Sequence, residues 1–275
     1  MPHDLPLTIG ACLPVPRLAG FRDWLCERDR DLEIQTFHSP HVLDSDWRPL
    51  AEQAVRDLDG HNGRRGIHGP FWGISIASND PMIQDVVRHR MMQGLDVCAA
   101  LGAVQMVIHS PFTPWDYNHD ILPDSAVATK AEAHAHDTLL PVVKRAEDQG
   151  VTLVIENISD KHPGRRVHLA DSFGSEAVRV SVDTGHAQLA HGSLGAPPVD
   201  HYITAAGDKL AHVHLQDADG YGDRHWGIGR GNICWHGVFE AIAALDARPH
   251  LVLELLNHDH IRESVAWLEE RGLAQ

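Results

Sequence analysis

Residues 210–235 read LAHVHLQDADGYGDRHWGIGRGNICW, and the reading of this stretch decides the fold. Leu210–Leu215 is a short apolar run that carries His212 and His214, which predicts a strand. Acidic Asp217, Asp219 and Asp223 follow, then Arg224, His225 and three glycines, before a helical pattern begins at Ile233. Imidazoles and carboxylates gathered where a strand ends match the donor set of a borderline divalent cation. A strand with ligands at its end, then a loop, then a helix, is one unit of an alternating α/β chain.

Working outward, the same unit recurs. Downstream lie a helix over Ile233–Leu245, a strand over Leu251–Leu255 and a last helix over His260–Arg271. Upstream, residues His186–Ala206 form two helical pieces parted by Gly195–Pro198, after strands at Val178–Asp183 and Thr152–Glu156. Asp124–Gly150 reads mainly as helix, with Pro141 starting a second segment or kinking the first. Val104–His109 is a strand, and before it Asp80 and Pro81 open a long helix that Gly102 ends. Its buried face carries Ile83, Val87, Met91, Leu95, Cys98 and Leu101. A brief strand at Gly66–Gly69, a helix at Asp46–Leu58, a strand at Leu32–Phe37, a helix at Arg17–Arg28 and a strand at Leu7–Gly10 complete the chain. Eight strands alternating with helices over 275 residues predict an α/β fold. The expected architecture is a single (β/α)8 TIM barrel spanning residues 1–275, with its active site at the carboxyl ends of the strands.

Side-chain alternation gives that expectation an internal test. If Leu153 and Ile155 face the helices, Thr152, Val154 and Glu156 point into the barrel. By the same parity Ser181 and Asp183 point inward, as do His212 and His214, Glu254, and His109. The polar groups therefore converge on one rim. Glu156, Asp183, His214 and Glu254 placed there without a counter-charge would repel and drive carboxylates towards protonation. The strands carry few basic residues, and a divalent cation removes the conflict. His212 is expected one layer below His214 in a structural role. His186 is a candidate for the same ion or for substrate, and His68 and His109 for the site or for a core or supporting role beside it. Asp223 and His225, two apart, would project together from an extended loop. Trp72, Trp115, Tyr221 and Trp226 fall in mouth loops, where they pack or stack on substrate.

The composition narrows the function. A formal net charge of −15 opposes non-specific attraction to a polyanion, so nucleic acid is disfavoured as a partner without being excluded. No apolar run approaches membrane-spanning length, and the N-terminal residues lack a secretory pattern. Cys12, Cys26, Cys98 and Cys234 stand singly, without CxxC spacing, which fits reduced thiols and a cytoplasmic protein. The 22 histidines are mostly assigned to ordinary surface roles. Apolar helix faces leave room for a homo-oligomer that the sequence does not fix.

The ordered set VIEN with Glu156, DTGHA with Asp183 and His186, HLQD from His214, DRHWGIGRGNI from Asp223 and LEL around Glu254 resembles the xylose-isomerase-like TIM barrels. The resemblance runs along nearly the whole chain. That superfamily includes sugar and sugar-phosphate isomerases and epimerases, and also the endonuclease IV type of abasic-site nuclease. The resemblance implies Glu156, Asp183, His214 and Glu254 as ligands of a single catalytic metal, with Glu156 and Glu254 doubling as proton-transfer groups. His186 matches a substrate-oxygen contact, and Arg224 is a candidate substrate-binding arginine. The nuclease pattern implies three zinc ions, with His68, His109, His186, Asp223 and His225 added to the ligands. The loop HSPHVLDSDWRPL lacks the nuclease's Asn-rich, Arg-containing signature.

The favoured expectation is isomerisation or epimerisation of a sugar-like polyhydroxy carbonyl substrate. Protons would transfer through a metal-stabilised enediolate. With histidine among the ligands, manganese, cobalt or zinc suits the site better than magnesium. The alternative expectation is a multinuclear zinc phosphoesterase acting on abasic DNA or on a small phosphodiester. A barrel that only binds a ligand is disfavoured by the two proton carriers.

Overall fold

The computed structural model describes residues 5–114 and 126–275. Eight parallel strands close into a barrel in sequence order, each hydrogen-bonded to the next and the last to the first. They are β1 (Gly10–Leu13), β2 (Leu32–Ile34), β3 (Arg65–His68), β4 (Gln105–His109), β5 (Thr152–Glu156), β6 (Val178–Asp183), β7 (Leu210–Leu215) and β8 (His250–Leu253). The helices are α1 (Val15–Glu27), α2 (Pro40–Leu43), α3 (Arg48–Asp57), α4 (Pro81–Leu101) and α5 (Ala126–Gln149). After them come α6 (Pro163–Ser172), α7 (Thr184–Leu194), α8 (Val199–Ala206), α9 (Trp235–Ala243) and α10 (Ile261–Glu269). No described helix is long and apolar enough to cross a membrane.

The predicted alternation governs the packing. Leu153, Ile155, Val180, Val182, Val213, Leu215, Leu251 and Leu253 join one core between strands and helices. Glu156, Ser181, Asp183, His212 and His214 are buried on the opposite parity, inside the barrel. Burial of apolar side chains at roughly 25 cal/mol per Å² holds the outer layer. The polar groups of the inner layer are held by hydrogen bonds.

Several elements differ from the sequence reading. The first strand is Gly10–Leu13, not Leu7–Gly10, and Leu7 instead bridges Ala274. The register is fixed at Gly10, where a Cβ would stand 1.7 Å from the Asp31 carbonyl oxygen. The second strand stops at Ile34, and Thr36–His38 turns as a 3-10 helix. Pro141 neither breaks nor restarts its helix, which runs continuously over Ala126–Gln149. Proline cannot donate to the carbonyl four residues earlier, and there Arg88 Nη1 donates to the Asp137 carbonyl at 2.9 Å instead. The helix Pro163–Ser172 had no counterpart in the reading, because its inner face is built from Arg165 and Arg166 as well as Leu169 and Ala170. The start expected at Asp124, and Trp115, lie outside the described residues. The helix over Pro81–Leu101 forms as read, with the Asp80 side chain accepting from the Met82 amide and Gly102 left-handed at its end.

Candidate metal centre

Strand ends bring the candidate groups to one mouth. His68 ends β3, His109 β4, Glu156 β5, Asp183 β6, while His214 lies next to last in β7 and Glu254 follows β8. Asp183 also starts α7, its Oδ1 accepting the His186 amide at 2.6 Å. That cap turns the chain so that His186 faces the site.

The side chains assemble three contiguous groups with metal-ligand spacing: His68, His109 and Glu156; Glu156, Asp183, His214 and Glu254; and His186, Asp223 and His225. Donor atoms about 2.1 Å from a tetrahedrally bound ion lie roughly 3.4 Å apart. His214 Nδ1 stands 2.9 Å from Glu156 Oε1, 3.3 Å from Glu254 Oε2 and 3.8 Å from Asp183 Oδ2. Glu156 Oε2 stands 3.7 Å from His68 Nε2 and 3.6 Å from His109 Nε2. Asp223 Oδ1 stands 3.4 Å from His186 Nε2 and 3.0 Å from His225 Nε2.

The fit to cations rests on one atom in particular. Glu156 Oε2 is buried and takes no hydrogen bond. His68 Nδ1 lies 2.9 Å from the Gly69 carbonyl, an acceptor, so Nδ1 carries a proton, and the neutral ring that can ligate an ion turns its Nε2 lone pair towards Glu156 Oε2. Two lone pairs facing each other call for a cation between them. Burial pushes His109 down to about 3, so its ring too is a neutral donor. Phe71 stacks on His109 with ring centroids 4.3 Å apart and also packs on His68 and His38, walling this side of the mouth.

Charge compensation in the metal-free chain differs from the expectation. Among the described residues the site carboxylates lie against histidines, which compensate them. Burial opposes charge on Glu156 and His214, but the charge of His214 overrides it for Glu156, and those of Glu254, Glu33 and Glu156 override it for His214. Glu156 sits well below the carboxylate range and His214 well above the imidazole range. Burial likewise opposes charge on His186 and His225, but neighbouring carboxylates, Asp183 first for His186 and Asp223 first for His225, win. His186 rises well above its ordinary value and His225 rises to about 9. Burial pushes Glu254 upward despite His214 and His225.

The other expected residues take varied places. His212 is buried beneath His214, its Nδ1 2.8 Å from Ser181 Oγ. Arg224 is held by Asp219 at 2.9 Å and lies over the Trp226 ring, so it is tied up within its own loop. Asp223 and His225 do meet, but not from extended backbone: His225 has φ 45°, and the bend brings their tips together. Trp72 donates Nε1–H to His38 at 3.0 Å, and Tyr221 is exposed.

Sequence reasoning missed four groups that hold the site. Glu33 of β2 lies against His212 and His214. Gln35 donates to Glu254 Oε1 at 2.6 Å. Gln216 donates to both Asp183 oxygens at 3.2 Å and accepts the His225 amide at 2.7 Å. Asn157 clamps the Asp183 backbone with two 2.9 Å bonds. Glu33 was within reach of the parity rule, since it alternates with outward Leu32 and Ile34. The amides carried no signal in one sequence.

Comparison with known proteins follows the same outline. An uncharacterized Methanocaldococcus jannaschii protein, MJ1311, is 25% identical over 186 residues, 64% of this chain. The match spans 59% of that protein's own length. The solved structure of the TTHB071 protein of Thermus thermophilus, soaked with ZnCl2, shares 26% identity at a TM-score of 0.74. It covers 96% of this chain and 97% of that one. A D-tagatose 3-epimerase-like protein matches at a TM-score of 0.74, covering 95% and 96%, and at 20% identity the likeness is one of fold. The family model described as xylose isomerase-like TIM barrel matches residues 31–271. The chain belongs to the xylose isomerase-like TIM barrel family.

Proposed function

We propose that this barrel is a divalent-metal enzyme whose centre takes more than one ion, and that it hydrolyses phosphoesters of small molecules. The observation that carries this reading is the orphaned Glu156 Oε2 facing the lone pair of His68. His68, His109 and Glu156 would hold one ion, and Glu156 with Asp183, His214 and Glu254 would hold another. Glu156 then has no free oxygen with which to shuttle a carbon-bound proton.

Charge supports the same substrate class. Five carboxylates, Glu33, Glu156, Asp183, Asp223 and Glu254, meet here, and three divalent ions would outweigh them by one charge. The mouth then attracts a phosphate although the chain as a whole is acidic. With one ion it stays negative and suits a neutral substrate. Ions held there would polarise a phosphoryl oxygen and acidify water. The chain's own residues do the rest. Glu254 is held at Oε1 by Gln35, which leaves Oε2 turned to the group it forms with Glu156, Asp183 and His214. Asp223, half exposed, links the site to solvent.

A second reading, isomerisation or epimerisation of a sugar-like compound, is favoured by a different observation. Glu156 is held ionised while Glu254 is pushed towards its neutral form. Environments that separate two carboxyl groups in this way define a base and an acid. In that reading Glu156 Oε2 stays free and takes the proton from carbon.

The ion count tests both. The chain is reconstituted with zinc or manganese, its metal content measured, and its turnover assayed on aryl phosphomonoesters and phosphodiesters and on a panel of ketoses in deuterated water. Two or three ions with phosphate ester cleavage are expected. One ion with exchange of a carbon-bound hydrogen would transfer the assignment to the second reading.

A further inference from the structure

Three of the site histidines share one device. His68, His186 and His225 each direct Nδ1 at a backbone carbonyl, of Gly69 at 2.9 Å, Asn157 at 2.9 Å and Glu254 at 3.1 Å, and turn Nε2 towards the centre. His214 is reversed. Its Nδ1 faces Glu156, Glu254 and Asp183, while its Nε2 faces Glu33 Oε2 at 3.1 Å and Oε1 at 3.2 Å. No carbonyl fills that place.

We infer that Glu33 is a positioning residue for the metal centre: its carboxylate accepts Nε2–H of His214 and so fixes the tautomer that offers the Nδ1 lone pair to an ion shared with Glu156, Asp183 and Glu254. The inference rests on the reading that this group holds a divalent ion, and it is the same for either reaction. A carbonyl would set the tautomer equally well. A carboxylate also makes the ring a stronger donor, because its charge stabilises the positive charge that the imidazole takes up on ligation.

The surroundings show that Glu33 is built in, not adventitious. It is buried in β2 between outward-facing Leu32 and Ile34. The Cys12 thiol of β1 lies 3.6 Å from Oε1, and His212 Nε2 of β7 lies 3.2 Å from Oε2. His212 in turn is tied to Ser181 of β6. Partners on both sides stop the carboxylate from rotating away, and the chain of contacts runs across the barrel floor beneath the metal ligands. Burial and the charge of Glu33 push the Cys12 thiol upward, which keeps it a hydrogen donor to Glu33. Cys12, Glu33, His214 and Glu254 also lie within mutual reach. An ion seated among them would use the opposite nitrogen of His214, so the two arrangements are distinguishable.

The test titrates Co²⁺ into the metal-free full chain and into Glu33→Gln and Glu33→Asp, with folding checked by circular dichroism. It also reads the imidazole nitrogens of the zinc-loaded wild type by ¹⁵N NMR. Glu33→Gln is expected to bind the His214-linked ion about 10- to 100-fold more weakly, with Glu33→Asp in between. His214 should be metallated at Nδ1 and protonated at Nε2. The wild-type measurement needs no variant and so stands if a variant fails to fold. Affinity of Glu33→Gln within about twofold of wild type, or His214 metallated at Nε2, overturns the role of Glu33. A thiolate-to-cobalt absorption lost in Cys12→Ser does so too, since Glu33 would then be a ligand. A wild-type chain that takes up no Co²⁺ instead removes the metal-centre reading beneath it.

Discussion

Glu156 shows how much hangs on single atoms in this barrel, because its two oxygens face different groups of donors. His109→Ala is expected to remove one ion per chain and leave the others in place. Metal analysis of the reconstituted variant checks this, and an unchanged count would mean that His68, His109 and Glu156 hold no ion. Glu254 makes a second case. Its carboxyl is buried and pushed upward, so ionising it in the metal-free chain is unfavourable. Glu254→Gln keeps an oxygen to accept from Gln35 and removes that charge. The metal-free variant should melt no lower than wild type at pH 8, while turnover on the true substrate falls by at least about 100-fold. Retention of most activity would remove Glu254 from proton transfer. These residues were legible before folding was considered, since strand parity alone pointed Glu156, Asp183, His214 and Glu254 inward. Glu33 obeyed the same rule and went unremarked because its strand ended in no motif.

At the scale of elements, local signals and tertiary corrections can be told apart. The Asp80 cap and the left-handed Gly102 bound α4 by chemistry that needs no neighbour. Asp80→Ala is therefore expected to cost about 1 kcal/mol, which a calorimetric scan would show as a fall of roughly 2–4 °C. Gly10 is the opposite kind of position. Its Cβ-less backbone lies against the Asp31 carbonyl, so Gly10→Ala must force β1 and β2 apart, at roughly 3 kcal/mol and visibly in the yield of folded protein. A variant as stable as wild type would mean that β1 can slide. Sequence reading put β1 three residues early because Leu7 is as apolar as any strand residue. It expected Pro141 to begin a second segment or kink the first because nothing local announces that Arg88, from another helix, will cap the stranded carbonyl of Asp137. It passed over α6 because arginines facing inward look like arginines facing water until Asp160 is placed beside Arg166.

At the scale of the whole molecule, ions in the proposed centre would be coupled to protons. In the metal-free chain His225 is raised from its ordinary 6.5 to about 9. The stability it contributes is fully present below pH 6.5 and is lost as pH rises through 9. His109 runs the other way: lowered to about 3, it costs stability as pH falls below 6.5. Melting temperatures of the metal-free chain should therefore decline on both sides of the range near pH 6.5. Metal ions in the proposed centre would compete with the protons on His186, His214 and His225, so loading should release protons and stabilise the chain most at alkaline pH. A pH-indicator assay and paired melting curves check this, and loading without proton release would contradict the histidinium pairs. The sequence by itself determined the alternation of strands and helices and which side chains share the barrel interior. Both follow from repeats of 2 and 3.6 residues that act along the chain. Tertiary structure alone decided that His68, His109 and Glu156 form a group of their own, that Asp223 closes on His186, and that Glu33 stands behind His214. Those meetings depend on distances of 3–4 Å between residues up to 181 positions apart, which barrel closure sets and no local pattern encodes.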